Sequence, residues 1–194
     1  MGKMFYDIRQ RSVAAVLCIA MVMGFAGCDM FGVRKQMGVM YGRLTNFNKA
    51  MNELDIEAAR ENTDWTEEDD DYKAVKDLFD ITYNGDAVDE GFVSCTEYIA
   101  STINIKFDIT SAKIDDDPVT LNMKYETVDW QSVYGKSHNS YDEVLEDLKN
   151  CQDKITVDGV VTFVNADEEG DWKISEITEL SEVMNFVHTL PDIS

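Results

Sequence analysis

The chain has 194 residues, enough for one domain with a sizeable core. Its 38 acidic residues stand against 17 basic ones and leave a formal net charge of −21. A body of that charge repels phosphate backbones, which excludes nucleic acid as a partner.

Lys3, Arg9 and Arg11 form a positive leader, Val13 to Met23 are uncharged and mostly apolar, and the small residues Ala26 and Gly27 follow. This is the three-part pattern of an export signal over residues 1–27. The uncharged span from Ser12 to Gly27 is sixteen residues, short of the roughly 20 that a membrane-spanning helix needs. Phe25-Ala26-Gly27-Cys28 resembles the lipobox of bacterial lipoproteins. The resemblance implies cleavage before Cys28, a diacylglyceryl thioether on its thiol, and a protein held on the extracytoplasmic face of the cell membrane. Two acyl chains give stable attachment where one is marginal.

Residues 28–33 then read as a lipidated tether and 34–194 as a single α+β extracytoplasmic domain without repeats or low-complexity linkers. Charge is unevenly placed along it. Residues 30–60 hold five basic against three acidic side chains, a balance of +2, whereas 61–194 hold nine lysines against 33 acids, a balance of −24. The least acidic part is therefore the one nearest the membrane, which suits anionic headgroups.

Of the four cysteines, Cys18 leaves with the signal and Cys28 carries the lipid. Cys95 and Cys151 remain, in a compartment that permits disulfides, as a candidate bridge or as two separate buried thiols. A bridge would contribute about 2–4 kcal/mol. These two with His138 and His188 are too few and too scattered for a zinc site, and no cofactor is implied.

Met37, Tyr41, Leu44, Phe47, Met51, Leu54 and Ala58 recur at three- and four-residue spacing and predict an amphipathic helix, with Asp55 able to break it and cap a second one. Thr66-Glu67-Glu68-Asp69 reads as the cap of a further helix whose buried stripe is Tyr72, Val75, Leu78, Phe79 and Thr82 and whose stop is Gly85. The acidic run from Glu67 to Asp71 lacks the alternating ligands and central glycine of a calcium loop. From Ser101 the period becomes two: Ile103, Ile105, Phe107 and Ile109 predict one strand, and Val119, Leu121, Met123 and Tyr125 its antiparallel partner. Asp115-Asp116-Asp117-Pro118 is the turn between them.

Gln131 to Asn139 reads as a polar crossover with His138 in solvent, and Ser140-Tyr141-Asp142-Glu143 as a capping box opening a helix with Val144, Leu145, Leu148 and Cys151 on one side. Ile155 to Val164 predict a strand in which Gly159 marks a bulge, Trp172, Ile174 and Ile177 the last strand, and Ser181 to His188 a terminal helix.

Three stretches resemble small bacterial lipoproteins with a nuclear-transport-factor-2-like (cystatin-like) domain: Phe47 to Ala59, Ile103 to Asp129 with its run Lys113 to Leu121, and Glu169-Gly170-Asp171-Trp172-Lys173-Ile174. The resemblance implies an α+β fold with N-terminal helices packed on a curved antiparallel sheet of about four to five strands. In such folds the concave sheet face often forms a pocket, which here makes Phe107, Met123, Tyr125, Phe163 and Trp172 the lining of a pocket or of a core. The departures from the simplest pattern are an insertion from Gly85 to Tyr98 and the acidic crossover.

Three functions follow as expectations. The first is a non-catalytic module that binds a small-molecule ligand or a neighbouring envelope protein; the second is a structural subunit or spacer of an envelope complex. The third is a small pocket enzyme of isomerase or dehydratase type, with His138 beside Asp142 or Tyr141, or Asp129 beside Trp130, as general base. No nucleophile elbow, phosphate loop or His-Glu-x-x-His motif is present, so no catalytic residue is assigned. The pocket separates the readings: an apolar cavity favours a ligand, and a filled sheet face moves the working surface outside.

Overall fold

The computed structural model describes residues 30–81, 88–109, 118–166 and 170–194. The segment read as an export signal, Cys28, Thr82, Gly85, the expected turn at Asp115–Asp117 and Glu169 lie outside the described residues.

Helix α1 runs from Met30 to Glu53 and buries Leu44, Phe47 and Met51 as its spacing predicts, but Met40 and Ala50 complete the buried stripe, while Tyr41 is exposed and Met37 half-buried. Leu54 turns into the left-handed region at φ 52°, and the Asp55 carboxylate accepts from the Ala58 N–H at 3.0 Å to start α2, Ile56–Arg60. Helix α3 is Asp70–Lys76, continued by a 3-10 turn at Asp77–Phe79. Its expected cap is reversed. Asp69 makes no capping bond; its carboxylate turns back to accept from the Thr66 N–H at 2.7 Å and hydroxyl at 3.0 Å.

The stretch read as an insertion is a helix, α4, Glu90–Ser101. Asp89 caps it by accepting from the Gly91 N–H, and Phe92, Cys95, Thr96, Ile99 and Ala100 form its buried face. Because Ser101 closes this helix, the strand expected from that residue begins later: β1 is Asn104–Phe107. Then come β2 (Val119–Val128), α5 (Trp130–Tyr134), β3 (Ser137–His138), α6 (Tyr141–Asn150), β4 (Lys154–Asn165) and β5 (Trp172–Ile177). The chain ends with α7 (Leu180–Met184), a 3-10 turn at Asn185–His188, and β6 (Asp192–Ile193).

The main sheet has four strands in the order β1-β2-β4-β5, every neighbour antiparallel. A separate two-residue parallel pair joins β3 to β6. The expected bulge at Gly159 is absent: Gly159 pairs regularly with Met123. A Cβ there would lie 3.0 Å from Tyr125 Cε2 and 3.2 Å from Met123 Cε, so glycine is required by close approach of side chains rather than by a kink. The irregularity lies one pairing further on. Thr162 pairs with Glu176 and Phe163 with Ile174, leaving Ser175 as the extra residue, its hydroxyl on the Thr162 carbonyl. That extra residue lets both Ile174 and Ile177 point into the core.

Helices cover one face of the sheet. Helix α1 touches both edge strands, β1 and β5, and α4 packs against α1 and α6. A continuous apolar cluster joins them, with Phe47, Ile99, Tyr125, Phe163, Ile174 and Phe186 among its members. Both sheet edges are occupied by the chain itself. Along β1 the Asn48 side chain accepts from the Ile105 N–H at 2.6 Å and donates to the Ile103 carbonyl at 3.2 Å. Along β5, Asn62 and Asp64 bracket Ile174, and the Trp65 indole donates to the Ser175 carbonyl at 2.9 Å.

Candidate functional site

The sheet face that the helices cover is packed. Met123, Tyr125, Phe163 and Trp172 are buried, and Phe107 is half-buried with its ring 5.4 Å from that of Tyr41. The Tyr125 hydroxyl donates to the Thr178 carbonyl at 2.9 Å, and burial pushes its phenol far above the ordinary range. One small cleft of about 20 Å³ is left beside it, between Tyr125, Trp130, Gln131, Val157 and Glu182. That is room for about one water molecule. Of the five residues expected to line a pocket or a core, four belong to the core, and Phe107 packs against it.

Cys95 and Cys151 are both free thiols, and the candidate bridge is not formed. Cys95 is buried with its Sγ 3.5 Å from the Tyr141 carbonyl, at the start of α6; Cys151 follows the last residue of the same helix. Ten residues of helix hold the two about 15 Å apart, far beyond disulfide reach. Burial, with Asp142 nearby, pushes the Cys95 thiol up to about 11.

The two candidate bases have structural positions. His138 is buried, not in solvent, because the crossover folds as β3 and pairs with the C-terminal β6. Its Nε2 is 3.3 Å from Asp147 on α6, rather than beside Asp142 or Tyr141, and the Ser194 N–H bonds its carbonyl. Asp129 caps α5, accepting from the Ser132 N–H at 3.0 Å. Among the described residues, neither side chain lines the cleft beside Tyr125 or the groove beside Arg60.

Two surfaces remain. A shallow open groove of about 320 Å³ is lined by Glu57, Arg60, Glu61, Trp65, Thr66 and Glu67. Its cation is already engaged: Arg60 bonds Glu57 at 2.7 Å and Glu67 at 2.9 Å, and lies 5.6 Å above the Tyr72 ring. The second surface is the outer face of the sheet, where β2 presents Thr120, Asn122 and Lys124 to solvent. Glu126 is shared by Lys106 of β1 and Lys154 of β4, and Lys124 pairs with Asp158 at 2.8 Å. The bond from Lys106 holds the Glu126 carboxyl below its usual range. Lys106, Lys124 and Lys154 thus gather on the solvent face of the sheet, each paired with an acid on a neighbouring strand.

Among the described residues no group of three or more His, Cys, Asp or Glu side chains is arranged to hold a metal ion, and no helix is long and apolar enough to cross a membrane. Compared with known protein families, characterised proteins and solved structures, the chain has no match.

Sequence reasoning missed α4 and both edge seals. The signal for α4 was present, since Phe92, Cys95, Thr96, Ile99 and Ala100 recur at helical spacing. The seals had none, because Asn48 and Asn62 reach their strands only through the tertiary fold.

Proposed function

We propose that this is a lipoprotein anchored through Cys28 on the extracytoplasmic face of a membrane, with a non-catalytic protein-interaction domain of nuclear-transport-factor-2-like (cystatin-like) build. The observation that carries the interaction reading is the filled sheet face under the helices, with Met123, Tyr125, Phe163 and Trp172 buried and a water-sized cleft beside them. A small-molecule ligand needs a cavity of some 300 Å³ or more to be enclosed. Strand addition by a partner is disfavoured as well, since Asn48 and the 62–65 segment hold the edge groups such a partner would use.

The working surface is then the outer face of the sheet. Its cross-strand pairs, Lys106–Glu126–Lys154 and Lys124–Asp158, fix charges in a set register, which favours a folded partner with complementary polar groups. A structural subunit of an envelope complex would use the same face, in a permanent rather than exchanging contact.

Photo-crosslinking in cells tests this. A photoreactive residue at Asn122 or Thr156 should give a discrete protein adduct, and one at the exposed Glu146 of α6 should not. No adduct from either sheet position would overturn the assignment. Native mass spectrometry of the detergent-extracted lipoprotein should find no small molecule bound, and one retained at stoichiometry would restore the ligand-binding alternative.

A further inference from the structure

Helix α1 continues past the body it stabilises. Its fully buried positions begin at Met40, yet the helix starts at Met30. Over residues 32–39 no side chain is fully buried: Val33, Gln36, Met37 and Val39 are half-buried, and Arg34 and Lys35 are exposed. Val33, Met37 and Tyr41 follow at four-residue intervals on one side, and Tyr41, 48% exposed, is the most exposed large apolar side chain described. Arg34 flanks that stripe.

Two further facts select the occupant of this stripe. Cys28 lies two residues before Met30, the first described residue of α1, so a lipid on its thiol would sit close to the helix along the chain. The charge of the molecule is also split. Helix α1 carries Arg34 and Lys35 in its N-terminal turns, while further along Arg43 is paired with Asp171 and Lys49 with Glu53, and residues 61–194 carry a balance of −24. An anionic surface attracts the first and repels the second.

We propose that the N-terminal turns of α1 lie along an anionic bilayer surface, with Val33, Met37 and Tyr41 entering the headgroup layer and Arg34 reaching its phosphates. This rests on the reading of Cys28 as the anchor. The lipid then supplies attachment, and α1 supplies orientation, holding the acidic body away from the membrane. An amphipathic helix with a cationic flank and an apolar side has the chemistry of an interfacial segment.

The test uses the intact, processed lipoprotein in vesicles of phosphatidylcholine, alone or mixed equally with phosphatidylglycerol, with bromine on the acyl chains as a quencher. Val33→Trp and Met37→Trp are read against Gly32→Trp, an exposed position on the far side of α1 with open space around it. Native tryptophan emission is subtracted with the unsubstituted protein. Quenching should be several-fold stronger at 33 and 37 than at 32, should need phosphatidylglycerol, and should weaken with salt and with Arg34→Glu. Equal quenching at all three positions would mean a loose tether and would overturn the proposal. So would quenching indifferent to lipid charge, or none, as when a protein covers the stripe. The mass of the N-terminal peptide from the same sample separates the two readings: without a diacylglyceryl group the anchor fails, and the tryptophan pattern still decides the role of α1.

Discussion

Gly91 sits where the first turns of α4 and α6 meet. A Cβ there would overlap the Tyr141 Cβ, which is fixed to backbone and cannot swing away. Alanine gains about 1 kcal/mol in helix propensity over glycine, but forcing two packed helices apart costs about 1–3 kcal/mol. Gly91→Ala should therefore lower the urea midpoint; a higher midpoint would show that the contact yields. Cys95 is governed by the same packing. With its thiol buried and pushed up to about 11, it should resist a thiol reagent at mildly alkaline pH until the protein unfolds, while half-buried Cys151 reacts in the folded state. Equal labelling, or a mass lower by about two units with neither labelled, would contradict the free, unequal thiols.

At the scale of elements, the strands were readable wherever one face is buried. The alternation along β2 matches its burial from Val119 to Tyr125, and Leu44, Phe47 and Met51 of α1 are buried as their period predicts, whereas in the preceding turns Met40 rather than Tyr41 faces the core. The bulge was not readable, because the spacing of Ile174 and Ile177 has meaning only against the register of β4. The edge seals are of the same kind. Asn48→Ala would leave the Ile105 N–H and the Ile103 carbonyl without their partner, a loss of about 1–2 kcal/mol. It would also bare a strand edge, so concentration-dependent light scattering should rise along with the fall in stability. Unchanged scattering would mean that β1 is protected by something else.

For the whole molecule, charge and burial set the response to conditions. Cys95, Tyr125 and Tyr134 are all pushed up, in each case first by burial. A buried acid of this kind is neutral in the fold, whereas its unfolded counterpart ionises above about 8.5 for cysteine and about 10 for tyrosine. The stability they contribute is whole below those values and is lost as pH rises: through about 11 for Cys95, and higher for the tyrosines. Thermal scans should show Tm falling steadily above about pH 9. A flat Tm there would place these groups in contact with water. Self-repulsion at a net charge of −21 should also make Tm rise with added sodium chloride.

The sequence by itself determined the features that depend on neighbours along the chain. These are much of the period of α1 and that of β2, the capping of α2 by Asp55 and of α6 by Ser140, and the division between a cationic first helix and an acidic remainder. Only the tertiary structure decided that the helix-covered sheet face is a core, that His138 is buried against Asp147, and that Cys95 and Cys151 stand at opposite ends of α6. The physical reason is that periodicity records which side of an element avoids water. Whether that side meets other side chains or a cavity depends on residues far away in the chain.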